Sequence, residues 1–302
     1  MLLQLDAIHT LRDNPTMTVL KYLFAAALGT TLFTADLSAK PIPGKCKTGD
    51  FFIGCQAYTF KEYTAFEAIE KTAQTGGKTI EFFPNQKFSL EEPKVKCDHH
   101  LSDADIKKLK AQLKKFKITA VNYGVVTPKG EADWRAVFEF AKKMGLYGIT
   151  TESVDDLDII EKLVKEYDIR VGIHEHAKRD KDDDYKVWDP HYVLSVVKDR
   201  DPRIGACADT GHWQTSELDP LECVKLLKGH IISVHLKDKT EFGHKGHDVP
   251  YGTGGGKIGA ILDELKAQGF KGNISIEFEY NWLNSVPDVT KCIDFVRDHA
   301  KK

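Results

Sequence analysis

Residues 203–238, RIGACADTGHWQTSELDPLECVKLLKGHIISVHLKD, contain one complete unit of the chain's architecture. A short apolar β-type run, RIGACAD (203–209), is followed by a helical stretch, LECVKLLK (221–228), and then by a second β-type run, HIISVHLK (230–237). Both β runs end on residues that bind metals or move protons: Asp209 opens DTGHW, and His235 sits in ISVHLKD. Outward from this unit the alternation continues. Upstream strand candidates are FFIGCQAY (51–58), KTIEFF (78–83), ITAVNYGVV (118–126), YGIT (147–150) and IRVGIHEH (169–176); NISIEFE (273–279) lies downstream. Amphipathic helical patterns fill the gaps. In DADIKKLKAQLKKF the apolar residues Ile106, Leu109, Leu113 and Phe116 share one face.

Eight strand–helix pairs in strict alternation predict an α/β protein, a closed (β/α)8 TIM barrel spanning residues 50–302 as a single domain. A doubly wound open sheet is the competitor. It usually carries GxGxxG after its first strand, and FFIGCQAYTFKEYTAF has none. The longer loops, 84–102, 177–188 and 238–257, all follow strand carboxyl ends, the face that carries barrel active sites. YGTGGGK (251–257) resembles a phosphate loop but lacks the strand-GxxxxGK[ST]-helix order, and reads as a crossover into the next helix. CDHHL (97–101) reads as a loop entering a helix capped by Ser102.

The chain has 302 residues, 41% hydrophobic, with 43 basic and 45 acidic residues and a formal net charge of −2. Such a balance offers neither the basic face of a nucleic-acid binder nor a polybasic membrane anchor. At the N-terminus, Lys21 precedes YLFAAALGTTLF and then ADLSA, the pattern of a secretory signal peptide. Residues 1–39 are therefore expected to be an upstream segment and signal, with Met17 as an alternative start and cleavage after Ala39. The expected product is exported, periplasmic or secreted, without stable membrane insertion; a homo-oligomer is left open. Cys55, Cys207, Cys223 and Cys292 fall in apolar runs and read as buried thiols. Cys46 and Cys97 fall in loops, where pairing is left open.

Four strand ends carry the chemistry: Glu152 after GIT, Asp209, His235 and Glu277. Three carboxylates and one imidazole from separate strands would each cost several kcal/mol in a barrel interior unless a cation compensated. The donor set suits one divalent metal ion, Mn²⁺ favoured, with Mg²⁺, Co²⁺ and Zn²⁺ as alternatives. His174, His176, His212, Lys237 and Trp213 are the candidate substrate contacts. Side chains two apart share a strand face, which places His174 with His176 and Glu277 with Glu279.

These residues carry a resemblance. Glu152 in TTES, DTGHW (209–213), HLKD (235–238), YGTGGGKIGAIL (251–262) and IEFE (276–279) resemble the xylose-isomerase-like barrel superfamily of sugar isomerases, epimerases and apurinic endonucleases over about residues 50–300. The resemblance implies Glu152, Asp209, His235 and Glu277 as metal ligands and His212 as a substrate contact. It also implies a sugar isomerase or epimerase in which Glu152 and Glu277 flank a carbon beside a carbonyl and exchange its proton through an enediolate. A keto-glycoside lyase working by β-elimination on the same site is the alternative. An endonuclease-type phosphodiester hydrolase comes second, because TIEFF and AVNYG lack the strand-two and strand-three histidines of that branch. Ketose epimerases place an arginine soon after the strand-seven histidine; here none follows His235 until Arg297. The expected partner is a small sugar or glycoside, not nucleic acid.

Overall fold

The computed structural model describes residues 40–301. The expected signal segment, with Met17 and the junction after Ala39, lies outside the described residues. Eight parallel strands form a ring: β1 Phe51–Gln56, β2 Thr79–Phe82, β3 Thr119–Val126, β4 Gly148–Thr151, β5 Arg170–His174, β6 Ile204–Asp209, β7 Ile231–Leu236 and β8 Asn273–Ile276. Each pairs with its successor, and β8 pairs with β1, placing Ile274 opposite Ile53. Closure leaves no backbone edge in the ring unpaired. The predicted (β/α)8 barrel is the observed fold.

Nine α-helices among the described residues surround it: α1 Ala65–Gln74, α2 Asp103–Phe116, α3 Gly130–Met144, α4 Leu157–Tyr167, α5 Pro190–Val197, α6 Thr210–Thr215, α7 Pro220–Leu226, α8 Ile258–Ala267 and α9 Val286–His299. Their starts follow local chemistry. Thr64 and Glu67 form a reciprocal capping box on α1, and Ser102 accepts from the Asp105 amide at the start of α2. Ile106, Leu109 and Leu113 of α2 are buried, which puts the apolar stripe against the barrel.

At their carboxyl ends β1, β2, β5, β7 and β8 stop short of the predicted boundary, β3 and β6 stop on it, and β4 runs one residue further, to Thr151. β8, expected to reach Glu279, stops at Ile276 because a side chain takes over the ladder. Thr59 Oγ1 donates to the Ile276 carbonyl (3.0 Å) and accepts from the Phe278 amide (2.9 Å). α6 was not anticipated; six residues are too few to display a helical period.

The interior is polar where most barrels are apolar. Thr79 Oγ1 donates to Asn273 Oδ1 (2.7 Å), Asn273 Nδ2 to Ser275 Oγ (2.8 Å), and Ser275 Oγ to Glu81 Oε2 (2.7 Å). Thr150 Oγ1 reaches Glu81 Oε1 at 2.9 Å from β4. Since β2 is adjacent to neither β4 nor β7, the contacts of Glu81 with Thr150 and His235 pass through the lumen.

The loop after β7 is organised by one acid. Asp238 accepts from the amides of Gly252 (2.9 Å), Gly254 (3.0 Å) and Gly256 (2.8 Å). The glycine-rich segment is therefore an anion nest already filled by the chain's own carboxylate. A Cβ on Gly254 would fall 2.3 Å from the Lys239 carbonyl oxygen, so the close approach excludes larger residues. All six cysteines are buried and free, Cys46 and Cys97 included. No helix among the described residues is long and apolar enough to cross a membrane.

Candidate active site

Asp209 is both the last residue of β6 and the N-cap of α6. Its Oδ1 accepts from the amides of Gly211 (3.0 Å) and His212 (2.8 Å), so the carboxylate is locked by the helix start. Oδ2 is left facing the barrel mouth. It has the His174 Nε2 at 3.5 Å, the His212 Nε2 at 3.7 Å, the His235 Nδ1 at 3.7 Å and the Lys237 ammonium at 3.1 Å. It nevertheless accepts no aligned hydrogen bond, and neither His174 Nε2 nor His235 Nδ1 has one.

Three buried donor atoms without hydrogen-bond partners, converging from β5, β6 and β7, fit a cation-binding centre. His174, Asp209, His212 and Glu277 each present a ligand atom within 4.8 Å of the others. Two members of the sequence-derived quartet, Asp209 and Glu277, are in that group. His235 adjoins it, with Nδ1 3.3 Å from Glu277 Oε2. Glu152 stands one step back: its Oε1 is 3.2 Å from His174 Nδ1, and its Oε2 accepts from the Tyr185 hydroxyl at 2.7 Å. The histidines predicted as substrate contacts, His174 and His212, thus lie closer to the ligand cluster than Glu152 does. His176 stacks 4.0 Å from the His212 ring and lines the pocket.

Lys237 is buried and surrounded by carboxylates: Asp209 Oδ2 at 3.1 Å, Glu277 Oε2 at 2.6 Å and Glu279 Oε1 at 2.5 Å. Its partner is Glu279 rather than Asp238, whose oxygens hold the glycine amides. Burial pushes the Glu277 carboxyl up, but Lys237 and His235 hold it well below its ordinary value. Asp209 is likewise raised by burial and lowered further by His212 and Lys237, to a net value well below normal. Glu152 is lowered overall, its burial offset by the His174 ring and the Tyr185 hydroxyl. Burial depresses the His174 ring, yet Asp209 and Glu152 raise it to about 10. Burial, aided by Lys237 and the His176 and His174 rings and opposed by Asp209, carries His212 well below its usual value.

Trp213 does not reach the pocket. It is fully buried in the hydrophobic core, with no face exposed for a sugar to stack on. Phe60 and Tyr123 are buried likewise. The aromatic contacts come from Tyr58 and Phe83, at the ends of β1 and β2, which line the pocket with Pro84 and Val125. Gln56, Glu152, His174, His176, His212, Glu277 and Glu279 complete the lining of a cavity of about 290 Å³. A larger hollow of about 830 Å³ opens among Lys45, Gly77, Lys110 and Lys117, away from these groups.

Two functional residues escaped the sequence reading. Glu81 is fully buried on β2 and lies 3.1 Å from His235 Nε2, orienting the ring so that Nδ1 faces the cluster. Its signal was an acid inside the apolar run TIEFF. Tyr185 was hidden in the charged run KRDKDDDYK, where its one aromatic ring was the clue. In CDHHL, His99 bridges the Tyr123 hydroxyl (3.1 Å) and Asp133 (3.1 Å) beside the Ser102 cap.

A parallel barrel that gathers acids and imidazoles at the carboxyl ends of its strands has the layout of a barrel enzyme. The chain belongs to the xylose isomerase-like TIM barrel family, whose pattern matches residues 69–299. No functionally curated protein is similar enough to count as a relative. Among solved structures, an uncharacterised protein from Parabacteroides distasonis is 32% identical, with TM-score 0.67, over 82% of this chain and 99% of its own. A D-allulose 3-epimerase from Methylomonas sp. is 16% identical, with TM-score 0.63, over 82% and 97% of the two chains. A sugar phosphate isomerase/epimerase from Parabacteroides distasonis is 14% identical, with TM-score 0.60, over 87% and 99%. At those identities the latter two share the fold.

Proposed function

We propose that this protein is a divalent-metal-dependent sugar isomerase or epimerase that removes a proton from the carbon beside a carbonyl. The observation that carries the reading is that Glu152 and Glu277 line one pocket from the ends of β4 and β8, opposite positions in an eight-strand ring. Asp209, Glu277, His235, His174 and His212 are the residues that would hold the cation, with Mn²⁺ the favoured ion. When bound, it supplies Lewis-acid polarisation of the substrate oxygens, which acidifies the C–H between them.

The two carboxylates differ in strength. Glu277 is gripped by an ammonium at 2.6 Å, whereas Glu152 is held by a phenol and an imidazole. The less stabilised carboxylate is the stronger base, so Glu152 takes the first proton. Lys237 stands behind Glu277 and Asp209 and holds both carboxylates in place. Delivery of a solvent proton relayed through Glu277 to the opposite face inverts the carbon, the first proton then passing from Glu152 to solvent; return of the Glu152 proton to the neighbouring carbon on the same face isomerises the sugar. A keto-glycoside lyase shares the deprotonation and expels a leaving group from the next carbon; the apolar wall of Tyr58 and Phe83 favours it as the second reading. The phosphodiester hydrolase loses support, since no Lys or Arg is among the described residues lining the pocket.

The test is deuterium exchange. The metal-loaded protein with a panel of ketoses in D2O should place deuterium on the carbon next to the carbonyl, detected by NMR. Glu152→Gln should slow that exchange by about 100-fold or more. No exchange with any ketose, with or without metal, would sink the reading.

A further inference from the structure

We infer that the sugar taken by this site is uncharged and carries an apolar substituent, as in an aryl glycoside, and that sugar phosphates are rejected. The inference rests on the reading of the pocket as a sugar site and deepens it.

Charge argues first. The polar wall presents Glu152, Glu277 and Glu279, and the ammonium nearest to them is already shared among three carboxylates, at 2.5–3.1 Å. A phosphate entering there would meet fixed negative charge, with no Lys or Arg among the described residues lining the pocket. At the rim, Arg179 is engaged by Glu152 (3.8 Å) and Asp182 (3.5 Å), and its guanidinium stacks 3.5 Å from the Tyr185 ring. The glycine-rich loop, whose three amides would suit a phosphate, is occupied by the carboxylate of Asp238.

The apolar wall argues second. Tyr58 packs edge-on against Phe83 (ring centroids 5.2 Å) and against Trp282 (5.7 Å), so the aromatic strip begins inside the pocket and continues outward. Lys61 lies 3.7 Å over the Trp282 ring and fixes it. The next residue, Leu283, is 72% exposed, and its carbonyl is held by the Tyr63 hydroxyl at 2.7 Å. A cavity of about 290 Å³ is near the lower bound for small-molecule sites and suits a single sugar ring. The strip beyond it is then left for the group attached to that ring, and an aromatic or otherwise apolar aglycone is the chemistry that aromatic faces and edges favour.

Isothermal titration of the metal-loaded protein decides the matter with three ligand sets: free hexoses, their phenyl glycosides and their 6-phosphates. Phenyl glycosides should bind about tenfold or more tightly than the parent sugars, and the phosphates at least about tenfold more weakly. Phe83→Ala and Trp282→Ala should each remove most of the phenyl advantage, and Trp282→Ala, which lies outside the pocket lining, should leave free-sugar affinity within about twofold. Both side chains are partly exposed, so the folded state should tolerate their truncation. Tighter binding of a phosphate than of its parent sugar overturns the inference. So does a phenyl group that adds nothing, an advantage that survives both substitutions, or a failure of every ligand to bind. Intact glycoside binding without deuterium exchange would instead reject the proposed reaction and leave this inference standing.

Discussion

Glu81 exerts its effect without lining the pocket. It receives Ser275 and Thr150 and faces His235 Nε2, all three buried. Glu81→Ala would leave those polar groups unpaired, and a loss of about 3 kcal/mol is expected by urea unfolding. Glu81→Gln keeps the volume but weakens the grip on His235, so metal affinity measured by titration should fall about 10-fold to 100-fold. A second residue-level expectation concerns acid. Glu152, Asp209 and Glu277 are all held below their ordinary range, so the unfolded chain binds protons first as pH falls. Their contribution to stability is therefore complete above about pH 4.5 and declines at lower pH, which unfolding curves from pH 7 to pH 3 of the metal-free protein should show. Asp209 and Glu277 were legible in the sequence because each follows a clear apolar run. Glu81 was not: an acid one position inside a four-residue strand looks the same whether it faces the lumen or the helices, and only the closed ring decides which. Trp213 misled for the same reason, since its place on α6 turned it into the core.

At the level of the elements, the loop after β7 shows how one side chain can shape twenty residues. Asp238→Ala strands the amides of Gly252, Gly254 and Gly256, and a loss of about 2–4 kcal/mol with faster proteolysis within 238–257 is the expected outcome. All eight strands could be read from the sequence because buried parallel strands are short apolar runs separated by helical periods. Not every carboxyl end could. The end of β8 depends on the hydroxyl of Thr59, 217 residues away in sequence from Ile276, and no local pattern carries that information. α6 was missed because its start is written by Asp209, a residue that also reads as a strand end and a ligand.

For the whole molecule, binding of a cation to the folded state alone must stabilise it. At a free metal concentration about 100 times Kd the gain is about 2.7 kcal/mol, which for a domain of this size raises Tm by about 5–10 °C. Differential scanning calorimetry with Mn²⁺, then with excess chelator, should show the rise and its reversal; an unchanged Tm would count against the cluster as a metal centre. The N-terminal segment makes a separate prediction. Expressed with its leader in an exporting bacterial host, the protein should be recovered outside the cytoplasm with Lys40 as its first residue, as Edman degradation or intact mass would reveal.

The double duty of Asp209 has a bearing on how this barrel can be altered. One carboxylate oxygen fastens the opening turn of α6 while the other looks into the mouth. A library randomised at position 209 and screened only for solubility would thus enrich Asp, Asn, Ser and Thr, the side chains able to hold that turn. Selection for turnover would keep Asp alone, so the residues that pass the first screen and fail the second separate the two duties of this side chain.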